Sequence, residues 1–294
     1  MELIKPSFEI YEQEIPVKKP DMSQEQYILS YKDYMYKHIE RCARVCYKSE
    51  HLIKEGSAEN FVNRMITSGH YATLEHGTIY LTFHITDPSV VGEEKYHQLQ
   101  EKFNNLVNKY ADNKYSIIKV NHYYDTCFIT TNYRTIIENN WDDDLQYLCK
   151  DSVFHEKRVT VKFNSSIHFY KDLTRHRPMS YCIESTRYCN YFKEKFSSSV
   201  KFTIPTWLDP IDVTEFEKDC RAIEKIYFKW LEKGWKPEEA AYFLCQGVDA
   251  DIFCTGFVKD WKHIFDLRAD SHAHPVLQEL MYPLKDEFTK LNYI

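Results

Sequence analysis

Seven glycines in a chain of 294 residues set the first limit on what this sequence can build. A typical share of about 7% would place about 20 glycines there. Neither G-x-G-x-x-G nor G-x-x-x-x-G-K-[ST] occurs. Both phosphate cradles need glycine where backbone must approach phosphate closely or take a positive φ. A nucleotide bound by this chain is therefore expected to be held by side chains.

Hydrophobic residues make up 43% of the chain and charged residues 28%, the balance of a globular protein with a packed core. No uncharged run approaches the roughly 18 residues of a membrane span. The opening stretch MELIKPSFEIYEQEIP mixes acids and bases and has no apolar signal core. Nine cysteines, with no C-x-x-C pair, predict reduced thiols. The expected location is thus cytoplasmic, with no membrane partner. Lys and Arg number 38 against 44 Asp and Glu, for a net charge of -6. That balance argues against a broad electrostatic nucleic-acid binder and leaves room for a local basic site.

The periodicity predicts irregularly alternating helices and strands, an α/β (α+β-like) class. Ser23 with Gln26 reads as a capping box opening a helix to about Val45, with Tyr27, Ile28, Tyr31, Met35 and Ile39 on one face. Ser57 is expected to cap a second helix that Gly69 stops. Thr78–Ile85 and Val159–Phe163 read as strands. Ser166 caps a helix running toward Arg175, Asp212–Lys233 is amphipathic, Pro237 suits a first helical turn, one helix ends near Arg268 and the last begins near Pro275. The polar, Tyr- and Asn-rich segment at about 87–156 reads as an insertion in a single domain, with its own helix near Gly92–Tyr110. Its acidic run Asp142, Asp143 and Asp144 reads as solvated.

The densest polar stretch runs Arg175-His176-Arg177-Pro178-Met179-Ser180-Tyr181-Cys182-Ile183-Glu184-Ser185-Thr186-Arg187-Tyr188. Pro178 breaks the preceding helix, so the cations gather at a helix end, with hydroxyls following. Guanidinium groups clamp phosphate through bidentate hydrogen bonds, and Ser, Thr and turn amides complete such a cradle. From chemistry alone, anion binding and a solvated basic turn both remain open.

The spacing Arg-His-Arg, seven residues, then Ser resembles the signature of the flavin-dependent thymidylate synthases. Three other segments, in the same order along the chain, resemble that family too. They are Ala43-Arg44-Val45-Cys46-Tyr47, Ser68-Gly69-His70-Tyr71-Ala72-Thr73-Leu74-Glu75-His76, and Phe265-Asp266-Leu267-Arg268-Ala269-Asp270-Ser271-His272-Ala273. The resemblance covers about 40–86 and 157–290. It implies a helix-rich fold with a small sheet and the reductive methylation of dUMP to dTMP. FAD is the implied cofactor, with NADPH and methylenetetrahydrofolate as co-substrates. The implied assembly is a homotetramer with shared sites.

By that resemblance Arg268 is the catalytic residue. Asp172, Arg175, Glu184, Ser185, Thr186, Arg187 and Arg268 would bind dUMP. His70, Glu75, Arg175, His176, Arg177, Lys259 and His263 would bind FAD. Several positions depart from the family pattern. Cys182 and Ile183 stand where Asn then Glu or Gln is usual, with Glu184 one place late. Asp172 replaces a Gln. Tyr242 and Lys259 fall where Arg is expected, and Ala72-Thr73 replaces Thr-Pro. These departures leave open methylation of a different pyrimidine nucleotide, and a non-catalytic nucleotide- or RNA-binding relative. Cys182 and Cys189 read as packing residues. No His spacing among the thirteen forms a metal signature, so no metal is expected.

Overall fold

In the computed structural model, residues 1–193 and 198–294 are described. The strands in chain order are β1 (Glu2–Ile4), β2 (Ser7–Tyr11), β3 (Thr78–His84), β4 (Ile117–Asn121), β5 (Thr126–Asn132), β6 (Arg158–Ser166), β7 (Ser180–Ile183), β8 (Lys201–Thr203) and β9 (Asp249–Phe257). The helices are α1 (Gln24–Arg44), α2 (Ser57–Thr67), α3 (Pro88–Val91), α4 (Glu93–Ala111), α5 (Tyr133–Asn139), α6 (Ile167–Leu173), α7 (Val213–Glu232), α8 (Pro237–Ala240), α9 (Val258–Arg268) and α10 (Pro275–Lys290). The class is mixed α/β, as expected. Among the described residues no helix is long and apolar enough to cross a membrane.

The chain forms two compact units: residues 1–11, 43–52 and 160–294 make the first, and 12–42 and 53–159 the second. The segment at 87–156 thus lies inside a larger unit that also holds most of α1, α2 and β3.

The first unit is built on a four-stranded sheet of order β2-β6-β9-β7. Alternation along β6 buries Val161 and Phe163 on one face and turns Lys162 and Asn164 to the other. The apolar face packs on helices: Phe163 lies 5.0 Å from Phe169 and 6.3 Å from Trp261 between ring centroids, and Phe288 lies 5.5 Å from Trp261. Trp261, Phe163, Phe169 and Phe288 are fully buried, and truncating such a side chain to Ala costs about 3–5 kcal/mol. Gly256 in β9 is required by close approach, because a Cβ there would fall 2.1 Å from the Met179 sulfur.

In the second unit, β3-β5-β4 forms an antiparallel sheet. Four of the five residues in the predicted stripe of α1 form its buried face, with Tyr27, Tyr31, Met35 and Ile39 all at most 1% exposed, while Ile28 is only half-buried. Tyr31 donates its hydroxyl to the Thr78 carbonyl at 3.2 Å. The Ser23–Gln26 capping box is present in both directions, at 2.9 and 3.1 Å.

Two local expectations change. Ser57 is the first residue of α2 rather than its cap, and its hydroxyl donates to Glu40 at 2.8 Å. The acidic run is only partly solvated: Asp144 is buried, paired with Lys109 and accepting from Tyr110 at 2.8 Å. A neighbouring cation and a donor let that one carboxylate leave water.

Candidate functional site

The first unit assembles its site around the two ends of β7. The Ser166 hydroxyl accepts from the Phe169 amide at 3.3 Å and starts α6. The helix stops at Leu173, and the chain turns through the basic triplet. The Tyr181 hydroxyl lies 2.7 Å from the Leu173 carbonyl and 3.0 Å from that of His176, pinning the turn.

The three residues of the triplet point to different fates. Arg175 and Arg177 are exposed. Arg175 lies 3.2 Å from Asp172, so the acid expected near a pyrimidine has this Arg as its partner. Arg177 makes no ion pair among the described residues. His176 is buried, and its Nε2 accepts from the Arg268 Nε at 3.0 Å. Its ring also lies 6.1 Å from that of His263. Burial, reinforced by Arg268 and His263, pushes the His176 pKa down to about 4. An imidazole that accepts from a guanidinium must be neutral at that nitrogen, which agrees with the shift. Arg268 occupies the last turn of α9, where a cation faces the negative end of the helix dipole. The Nε bond fixes the guanidinium while its two terminal nitrogens make no other bond among the described residues.

Lys259 and His263 are four apart on α9 and both exposed, so they share one helix face. The second unit carries His70 and Glu75. Gly69, at φ 71, ends the turn after α2 in a conformation that favours glycine, and His70 follows it, exposed. Glu75 is ion-paired to Arg134 at 2.6 Å.

Past β7 the chemistry inverts. Glu184 is buried, with Oε1 accepting from the Tyr191 hydroxyl at 2.9 Å. Its Oε2 lies 2.9 Å from Lys48 Nζ and accepts from the Asp251 amide at 3.2 Å. Being one place late matters on a strand, because each step turns the side chain to the opposite face. Ile183 and Glu184 therefore point apart, and Glu184 enters a cavity of about 490 Å³ that is also lined by Lys48, Lys162, Asn164, Asp249 and Asp251.

Asp251 takes both lysines, Lys48 at 2.7 Å and Lys162 at 3.0 Å. Burial works to raise its pKa, but the two lysines outweigh it and hold the carboxyl at about 2. Asp249 has the Asn164 amide at 2.9 Å and no ion pair among the described residues. Burial, then the charges of Asp251 and Glu184, push Asp249 up to about 7. Burial also raises Glu184, against the pull of Lys48.

None of Lys48, Lys162, Asn164, Asp249 and Asp251 was among the expected site residues. The signal for them was the same-face spacing of Lys162-x-Asn164 and Asp249-x-Asp251 on two strands. Beyond Glu184, the Ser185 amide donates to the Cys46 carbonyl at 3.1 Å, and Ser185 and Thr186 are half-buried. Arg187 is exposed, with its Nε 4.0 Å from Glu238. Tyr242 is 86% exposed. Among the described residues, no group of three His, Cys, Asp or Glu side chains could hold a metal ion.

Comparison with known proteins bears on the same segments. The chain is similar to the flavin-dependent thymidylate synthase of Pyrococcus abyssi (strain GE5 / Orsay), with 31% identity over 121 residues, 40% of this chain and 48% of that protein. It is 30% identical to the flavin-dependent thymidylate synthase of Thermococcus kodakarensis over 120 residues, again 40% and 48% of the two chains. A probable flavin-dependent thymidylate synthase of Paramecium bursaria Chlorella virus 1 is 25% identical over 154 residues, 47% of this chain and 69% of its own. The matched region thus spans about half the length of the first two relatives. The family model described as thymidylate synthase complementing protein matches residues 28–148 and 130–291. Those stretches include the 87–156 segment, both ends of β7 and the Arg268 turn, and the chain belongs to the thymidylate synthase complementing protein family.

Proposed function

We propose that this protein is a flavin-dependent thymidylate synthase, methylating dUMP to dTMP with methylenetetrahydrofolate, FAD and NADPH. The observation that carries the reading is Arg268, a guanidinium fixed through Nε by a neutral His176, with its terminal nitrogens left to bind a ligand. Uracil C5 is a weak nucleophile. A fixed cation that stabilises negative charge on N3 and the carbonyls raises electron density at C5, and preorganisation makes such a field effective. A protonated His176 would repel Arg268 and surrender the acceptor, so the neutral imidazole acts as its positioning residue.

The donor set fits a flavin dinucleotide. Arg175, Arg177 and Lys259 are exposed cations suited to a diphosphate, and His263 is exposed one helical turn from Lys259. By the family resemblance His70 and Glu75 would be further flavin residues. The flavin would supply the hydride relay between reductant and transferred carbon. Ser185, Thr186 and Arg187 would hold the dUMP phosphate, and Asp172 with Arg175 would flank the base. A homotetramer with shared sites is part of the proposal.

The test is tritium release from C5-labelled dUMP in the presence of NADPH and methylenetetrahydrofolate. Arg268→Ala is expected to abolish release while flavin stays bound, and full activity in that variant would remove Arg268 from its role. One observation favours a second reading, a different pyrimidine nucleotide as substrate. Ile183 puts an apolar side chain where Glu or Gln is usual, and the oxygens of Glu184 are taken by Lys48, the Tyr191 hydroxyl and the Asp251 amide. Absence of tritium release, with release from another labelled pyrimidine nucleotide, would select it.

A further inference from the structure

Cys46 lies in the 3₁₀ turn Val45–Tyr47, and its thiol is hydrogen-bonded to the side chain of Cys182 on β7. The attachment is reinforced one step on, where the Ser185 amide donates to the Cys46 carbonyl at 3.1 Å. Cys46 is half-buried, whereas Cys182 is buried. The Cys182 contact, opposed by burial and helped by the Ile183 amide, lowers the Cys46 pKa. Cys127, Cys149 and Cys220 behave oppositely, since burial pushes each of those thiols up to about 11.

A half-buried thiol in hydrogen-bond contact with a second, more sheltered thiol is the arrangement of an attacking and a resolving cysteine. We propose that Cys46 and Cys182 are a modification site, a dithiol that a hydroperoxide oxidises to a disulfide. The Cys46 thiolate attacks one peroxide oxygen and the O–O bond breaks. The sulfur becomes a sulfenic acid, oxidised by two electrons, and the peroxide is reduced to water or an alcohol. The Cys182 sulfur then displaces hydroxide from the Cys46 sulfur. That hydroxide leaves as water with the Cys182 thiol proton, and the S–S bond forms.

Closing the contact to about 2.05 Å draws the turn and β7 together. Ser185 hangs on the Cys46 carbonyl, so the pull reaches the Ser185–Arg187 turn. This last consequence rests on the proposed phosphate-holding role of that turn.

The experiment treats the full chain with hydrogen peroxide, blocks remaining thiols with an alkylating reagent, and maps peptides without reduction. The expected product joins the Cys46 and Cys182 peptides, lighter by two hydrogens and released by dithiothreitol. Recovery of both peptides alkylated, or of Cys46 joined to another cysteine, overturns the proposal. In Cys182→Ser, peroxide is expected to leave Cys46 as a sulfenic acid that dimedone traps, and no trapping overturns its attacking role. The wild-type map stands even if that variant fails to fold. Oxidised protein is expected to bind dUMP ~10-fold more weakly, with recovery on reduction. A cross-link with unchanged dUMP affinity overturns the link to the turn. Reduced protein that binds no dUMP counts against the proposed function instead, while the peptide map still judges the dithiol.

Discussion

At the start of β7, Arg175 and Arg177 are exposed and His176 is buried as a neutral acceptor for Arg268. Just past its end, Glu184 is buried against Lys48, and Asp251 takes Lys48 and Lys162. Four residues of extended chain separate the two regions. Both are rich in ionisable groups, yet one leaves its cations in water and the other draws its carboxylates out of it against part-exposed lysines. Charge that stays solvated is available to a ligand. Charge that is buried has to be compensated inside the fold, and there its work is structural. On the proposed function the exposed cations on either side of β7 are the ligand-binding groups, and the buried carboxylates with their lysines brace the β7–β9 edge.

The largest expected effect belongs to Lys48→Met. Removing this cation leaves Glu184 and Asp251 as buried carboxylates, Asp251 with Lys162 alone. Breaking such a buried pair costs about 3–5 kcal/mol. Urea unfolding of variant and wild type measures it. A loss within about 1 kcal/mol, the range of exposed pairs, would place the cluster in water and break the contrast.

A smaller effect, in pH dependence, separates the two regions by sign. His176 falls from 6.5 to about 4 on folding. The unfolded chain then binds more protons between those values, so this group's stability contribution is present above pH 6.5 and lost as pH falls toward 4. Asp249 rises from 3.8 to about 7, so its contribution is full below pH 3.8 and lost as pH rises through 7. The two groups oppose each other across nearly one window. In Asp249→Asn, stability relative to wild type is expected to grow as pH rises through that window. In His176→Gln, which keeps an acceptor for Arg268, relative stability is expected to fall over the same range. Unfolding free energies at a series of pH values decide the matter, and parallel curves for both variants would erase the distinction.

Much of the helical framework was legible because its signals are local. The Ser23–Gln26 box, the Ser166 cap and the stop at Gly69 act within a few residues, and each is where the sequence put it. The basic triplet stood out by composition, but its placement was off: the helix ends at Leu173, five residues before Pro178, so the triplet lies in the turn after it and not at the helix end. β9 was not legible. All nine of its residues are buried, so it shows no alternation of apolar and polar exposure, and no strand was expected there. Its neighbour β6 comes from a segment some 85 residues earlier, as the Asn164–Asp249 bond shows. Lys48 is farther still, 203 residues from its partner Asp251. No local pattern reports a cluster assembled over such separations. Asp144 failed in the same way, because its neutralising Lys109 lies on α4.

The smallest expected effect tests the region just past β7 from its exposed side. Arg187 is adjacent in sequence to the buried cluster but has 68% of its side chain in solvent, and Glu238 is 4.0 Å away. Exposed pairs of that kind are worth about 0–1 kcal/mol, and at this separation the lower end applies. Arg187→Met is therefore expected to change unfolding stability by no more than ~0.5 kcal/mol. Its dUMP affinity, measured by calorimetry, is expected to fall, because the lost guanidinium is one that water had left free for a phosphate. The two readouts are expected to separate here and to move together in Lys48→Met, where loss of the buried network disturbs the adjoining Ser185 turn. If Arg187→Met instead lost stability on the Lys48 scale, position relative to the cluster, rather than exposure, would decide which charges are structural.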